Sequence, residues 1–157
     1  MTACSVFDSP IGKILIAEED GAITLVGFLT EEPPPEASDP PSPLLREAAR
    51  QLLEYFNGDR RVFDLPLCMR GTPFQLAIWN ALCGIPYGET RTYADIAAAV
   101  GNPKACRAVG MANNRNPISI IIPCHRVIGK DGSLTGYGGG LGRKEFLLSL
   151  EQRVTGK

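Results

Sequence analysis

Alternation dominates the first thirty residues. Ser5–Phe7, Lys13–Ala17 and Ile23–Phe28 place apolar side chains at every second position, the signature of half-buried strands, and Glu19-Asp20-Gly21 supplies a hairpin turn. The pattern then stops. Residues 31–43 hold six prolines among several acids and read as an extended surface loop, a tolerated insertion. Ser42-Pro43 has the form of an N-cap followed by a first-turn proline. From there Leu44, Leu45, Ala48, Ala49, Leu52, Leu53 and Phe56 recur at helical spacing until Gly58 ends the run. Arg61–Leu67 has the composition of one more strand.

The second half is organised by helices. Thr72-Pro73 opens one that sets Phe74, Ile78, Trp79 and Leu82 on a single face, where Trp79 reads as core. Pro86-Tyr87-Gly88 breaks the chain. Thr92 caps Tyr93–Val100, Gly101 closes it, and Asn102-Pro103 opens a third helix over Lys104–Asn113. Two short helices joined by a tight glycine-containing turn form a helix-turn-helix pattern. Its second member carries Lys104 and Arg107 beside small Ala105, Ala108, Gly110 and Ala112, which suits close approach to a groove or close helix packing. After Asn116-Pro117, Ile118–Ile122 reads as a buried strand ended by Pro123, and Arg126–Ile128 resumes beyond it. Lys130-Asp131-Gly132 makes a turn. Leu134–Leu141 is glycine-rich around Tyr137 without the GxxxxGK[ST] phosphate pattern. Arg143–Arg153 forms a last helix with Phe146, Leu147 and Leu150 inward and Glu151 near its end. The expected class is α+β: a sheet-and-helix domain over residues 1–69, then a winged helix-turn-helix domain over 70–157.

Composition adds three constraints. The 157 residues hold no apolar run long enough to span a membrane and no charged-then-apolar leader, so neither a membrane span nor a signal peptide is expected. The five cysteines are odd in number and form no CxxC pair, which points to free thiols in a reducing compartment such as the cytoplasm. With one histidine a structural zinc site is hard to build, and no cofactor is expected. Charge divides sharply: five basic residues face twelve acidic ones in 1–69, and eleven face five in 70–157. That division hints at nucleic-acid contact by the second half, though a solvated acidic face on the first half explains it as well.

The chemistry concentrates in Ile120-Ile121-Ile122-Pro123-Cys124-His125-Arg126-Val127. Pro123 fixes its own φ and delivers Cys124 and His125 at a rigid corner. A thiol becomes a strong nucleophile only as thiolate, which needs a neighbouring base or positive field. Neighbouring side chains point apart in a strand, so a turn with a bridging water is the easier route between Cys124 and His125. A buried cysteine beside a structural histidine is the competing reading of these residues.

Pro123-Cys124-His125-Arg126-Val127, preceded by Asn116-Pro117 and followed by Leu134–Glu151, resembles the O6-alkylguanine-DNA alkyltransferase family. The likeness runs from Gly71 to Glu151, including Thr92-Tyr93 and Arg107-Ala108-Val109-Gly110. The first half resembles, more weakly, the ribonuclease H-like domain that members carry in front. The resemblance implies that Cys124 attacks the alkyl carbon on guanine O6 and retains it as a thioether, consuming the protein. His125, held by Glu151, takes the thiol proton through water; Tyr93 acts as acid toward the leaving guanine; Asn116 braces the turn. Tyr137, Gly138 and Val127 line the guanine pocket. Arg107 fills the gap left by an extruded nucleotide in the minor groove, beside Ala108. Some members carry a second arginine where this chain has Asn114 followed by Arg115, which leaves phosphate contact there open. The implied partner is double-stranded DNA bearing O6-alkylguanine, with O4-alkylthymine open, bound by a monomer. The sequence shows no cysteine-rich regulatory domain before the core, so a fused transcriptional role is not expected. Two other readings compete. A damage-binding winged-helix protein leaves Cys124 and Glu151 without purpose, and a thiol hydrolase usually draws its histidine from a distant position.

Overall fold

In a computed structural model of the chain, residues 2–29, 41–134, 136, 137 and 140–156 are described. Gly138 and most of the proline-rich loop lie outside them. The chain divides into two compact units, Met1–Met69 and Arg70–Lys157.

The first unit is an antiparallel meander of β1 (Thr2–Ser9), β2 (Gly12–Glu19) and β3 (Ala22–Phe28), with β2 in the centre. The Asp-Gly turn between β2 and β3 forms as the sequence predicts. Asp20 (φ 52°) and Gly21 (φ 83°) both take the left-handed region that a tight hairpin needs. Ile14 and Ile16 on β2 and Ile23 and Val26 on β3 are buried, together with Leu45, Ala48, Leu52, Tyr55 and Phe56 of α1 (Pro43–Phe56). Ser42 caps α1, its side chain accepting from Leu45 N. The strand expected at Arg61–Leu67 does not form. There is one parallel bridge, Ile23 to Leu67, and upstream the amide of buried Gln51 does the pairing. It donates to Asp64 O at 3.0 Å and accepts from Asp64 N at 2.9 Å. A side chain has replaced the ladder there.

The second unit begins with α2 (Pro73–Cys83), closed at its start by a Thr72–Gln75 capping box. Trp79 is core, as its spacing predicts, and its Nε1 donates to Ala112 O at 2.9 Å. The helix-turn-helix follows as α3 (Tyr93–Ala99) and α4 (Cys106–Asn114). Thr92 and Asp95 form a second capping box on α3. α4 starts two residues later than expected, because residues 103–105 form a turn that leaves Ala105 as an N-cap without a side-chain bond. The strand pair expected after α4 is also different. β5 (Val127–Ile128) pairs in parallel with β4 (Arg91–Thr92), which precedes α3. The segment after β5 is a turn closed by Gly129 N to Ser133 O. α5 runs Leu141–Thr155, longer at both ends than expected, and buries Lys144, Leu147, Leu148, Leu150 and Glu151, while Phe146 is half-buried.

Candidate active site

Cys124 is presented by a turn rather than a strand. Ile118, Ile120 and Ile122 are fully buried, as their composition suggests, but residues 119–122 are turn. The cause is Asn116. Its Nδ2 donates to Ile122 O at 2.8 Å and its Oδ1 accepts from Ile118 N at 3.0 Å, so one side chain closes the loop from both ends. Ile122 N also reaches back to Ile118 O at 3.0 Å. Closure puts Ile120 at φ 72°, a left-handed conformation that a β-branched residue adopts at a cost of about 1–3 kcal/mol. Beyond Pro123 the chain makes one 3-10 turn, Cys124–Arg126, and Val127 N closes it on Cys124 O. The corner expected at Pro123 is this turn.

His125 is fully buried and its Nε2 lies 2.7 Å from Glu151 Oε2. Glu151 also accepts from Arg126 Nε at 2.8 Å, Arg126 Nη2 at 3.0 Å and the backbone N–H of Gly88 at 3.0 Å. The Gly88 contact needs glycine: its φ is 81°, and a Cβ there would sit 2.7 Å from Thr155 Cγ2. The remaining Arg126 group donates to Ile85 O at 2.8 Å, and its guanidinium lies over the Tyr87 ring at 5.5 Å. Burial by itself would raise the Glu151 pKa, yet the hydrogen bonds and charges of His125 and Arg126 prevail and hold it at about 2. Burial keeps His125 below its ordinary value against the pull of Glu151. The result is an ionised carboxylate, paired with arginine, that orients a neutral imidazole.

Cys124 is buried, and burial pushes its thiol up to about 11, against a hydrogen bond with Asn116 and the charge of Lys144. The resting form at neutral pH is therefore a thiol that needs a base. Lys144, fully buried on α5, donates to Val127 O at 2.5 Å, and desolvation lowers it to about 8. Tyr137 is buried, and burial first, then the Cys124 charge, pushes its hydroxyl well above the usual phenol range. Val127 is wholly buried, its carbonyl taken by Lys144, so its side chain offers no open pocket wall in this state.

The helix expected to meet DNA shows its small residues outward. Cys106, Arg107, Ala108, Met111 and Asn114 on α4, and Arg115 after it, are exposed, while Val109, Ala112 and Asn113 are buried. Tyr93, half-buried at the start of α3, lies beside Gly110 of α4, 3.7 Å from where a Cβ would stand. Asn114 lies against the backbone of Gly136, 3.1 Å from its ideal Cβ, which brings the end of α4 to the Tyr137 loop. Thus Cys124, His125, Glu151 and Tyr137 are buried with Asn116 half-buried beside them, and Arg107, Ala108, Asn114 and Arg115 are exposed along α4 from its first turn to its C-cap.

Sequence reasoning missed Lys144, Arg126 and Asn113. Lys144 was legible, since it stands on the α5 face of Leu147, Leu148 and Glu151 at spacings of three, four and seven. Arg126 stood within the quoted motif, but neither its role nor that of Asn113 was legible, because their partners lie on other elements.

The second unit thus combines a buried Cys–His–Glu arrangement with a helix-turn-helix. Comparison with known proteins makes this specific. Residues 3–69 match the family model for the 6-O-methylguanine DNA methyltransferase ribonuclease-like domain, and residues 73–153 match that for its DNA binding domain. A methylated-DNA–protein-cysteine methyltransferase of Methanosarcina acetivorans is 55% identical over 150 residues, 94% of this chain and 96% of its own. The constitutive one of Bacillus subtilis is 52% identical over 153 residues, 92% of each chain. The crystal structure of Mycobacterium tuberculosis OGT in complex with DNA superposes with a TM-score of 0.88 at 47% identity, covering 97% of this chain and 94% of that one. The chain belongs to the 6-O-methylguanine DNA methyltransferase family.

Proposed function

We propose that this protein reverses O6-alkylation of guanine in duplex DNA by moving the alkyl group onto Cys124, once per molecule. The observation that carries the reading is the buried 2.7 Å contact between Glu151 of α5 and His125, which shares its 3-10 turn with Cys124. With Nε2–H donated to Glu151, Nδ1 is the basic nitrogen of the ring, and it takes the thiol proton through a water. Sγ attacks the alkyl carbon, the S–C bond forms as the C–O6 bond breaks, and the leaving guanine takes up a proton, with Tyr93 as donor. Guanine is restored in one step. No tetrahedral oxyanion arises in a displacement at carbon, so no oxyanion hole is needed. A thioether is a poor leaving group, and the reaction stops at one turnover.

The alkyl carbon of a stacked guanine is out of reach of a buried thiol, so the nucleotide must leave the duplex, at roughly a few kcal/mol. The exposed Arg107 and Ala108 on α4 support a minor-groove approach in which Arg107 occupies the vacated stack and Asn114 and Arg115 face the backbone. Tyr137 walls the guanine pocket. Residues 1–69 serve as scaffold and 70–157 carry DNA binding and the acceptor. The protein acts as a monomer, and its five free cysteines suit a reducing compartment such as the cytoplasm. Among the described residues no helix is long and apolar enough to cross a membrane.

Titration of a duplex carrying one O6-methylguanine with increasing protein tests this. Guanine restored should rise linearly and saturate at one per chain, and Cys124→Ala should restore none while still binding the duplex. Continued restoration beyond one per chain would contradict the stoichiometric reading.

A further inference from the structure

Asn113 lies on the inner face of α4, one residue from the exposed Asn114, and only 1% of it is exposed. Its Nδ2 donates to the carbonyl oxygen of Cys124 at 3.2 Å. The other acceptor position of that carbonyl is taken by Val127 N, which closes the 3-10 turn. Because the partner is an acceptor, the amide nitrogen must face it, and the amide orientation is fixed. The amide oxygen, shut off from solvent, has no hydrogen-bond partner among the described residues. An apolar residue of similar volume would fill this position with no such defect. The amide is therefore costly where it stands, and what it provides is a tie between the helix bearing the outward Arg107 and Ala108 and the backbone of the nucleophile. α4 is also held by Trp79 Nε1, which donates to Ala112 O, one residue before Asn113.

We propose that Asn113 is a positioning residue that registers α4 against the Cys124 turn, so that the helix that holds the DNA also sets the aim of the thiol. The proposal rests on the alkyl-transfer reading above. An extruded nucleotide keeps its backbone attached to the strand, so its position in the pocket is dictated by where the duplex sits on α4. A free base has no such tether and finds its own pose. Misplacing reacting atoms by about 1 Å costs on the order of 10²-fold in rate. Loss of the tie should thus penalise the tethered substrate and spare the free one.

The test uses the full chain and compares single-turnover rates on a methylated duplex with rates on the free base O6-methylguanine, by intact mass. In Asn113→Leu, the duplex rate should fall about 10- to 100-fold. The free-base rate should stay within about threefold and duplex affinity within about twofold. Asn113→Ser, which also loses the reach to Cys124 O, should repeat the pattern if the leucine variant folds poorly. Equal losses on both substrates in a folded variant would make Asn113 merely structural and overturn the proposal, as would an unchanged duplex rate. Absence of transfer from either substrate to wild-type Cys124 would overturn the alkyl-transfer reading itself, a result distinct from both.

Discussion

The two units bury different things. In the first, the interior is almost wholly apolar, and its buried polar residues Ser5 and Gln51 serve backbone pairing or lie at the margin. In the second, Asn113, His125, Arg126, Lys144 and Glu151 are all buried, four of them ionisable, around one thiol. Burying charge is expensive unless every group is paired. The second unit meets that condition with hydrogen bonds between distant elements: Glu151 to residues 88, 125 and 126, Lys144 to 127, and Arg126 to 85. One unit has an apolar core, and the other keeps a hydrogen-bonded polar core beside a buried cysteine, as the proposed alkyl transfer requires.

The sharpest break of that contrast is Cys124→Ser. Transfer should vanish while duplex affinity stays within about twofold, since the thiol is buried away from the exposed face of α4. A serine variant that still acquired an alkyl group would remove Cys124 from the chemistry. Next comes Glu151→Gln, which leaves Arg126 buried without its counter-charge. Stability should drop by about 3–5 kcal/mol and transfer should slow by roughly 10²-fold. An unaltered rate would exclude Glu151 from the proton path.

The same pair sets the pH dependence. The His125 pKa is depressed, so its contribution is complete above about 6.5 and fades as pH falls. Glu151 is depressed from 4.5 to about 2, so its contribution fades between those values. Both act in one direction: the melting temperature should decline below about pH 6.5 and fall more steeply below 4.5. Glu151→Gln should flatten the lower part, and a wild-type melting curve level down to pH 3 would refute the pairing.

A smaller effect is expected from Arg107→Ala, about tenfold on a paired lesion and under threefold on one already unpaired. Equal losses on both would argue against stack filling. Smallest in its effect on chemistry, Leu52→Ala in the first unit should cost about 2–5 kcal/mol of stability. Its rate per folded molecule should be unchanged, and a slower rate would show that the apolar unit also tunes the site.

How far the sequence revealed this differs by unit in the same way. The hairpin at Asp20-Gly21, the Ser42 and Thr72 caps and the core role of Trp79 were legible because each rests on neighbours within a few residues. Cys124, His125, Glu151 and Asn116 were legible through a specific motif. Their geometry was not. An apolar run such as Ile118–Ile122 has the composition of a strand, and only the two-ended grip of Asn116 makes it a turn. At Arg61–Leu67 the backbone's partner was a glutamine side chain from α1, which periodicity cannot announce. Arg126 and Asn113 act on residues 25 and 11 positions away, beyond any local pattern.

The most direct measurement is the intact mass of the protein after mixing with a duplex containing one O6-methylguanine, followed by peptide mapping. The expected result is a gain of one methylene unit, at most once per chain, on the peptide carrying Cys124. Tight binding of the lesion with no gain in mass, or a gain on Cys83 or Cys106, would contradict it.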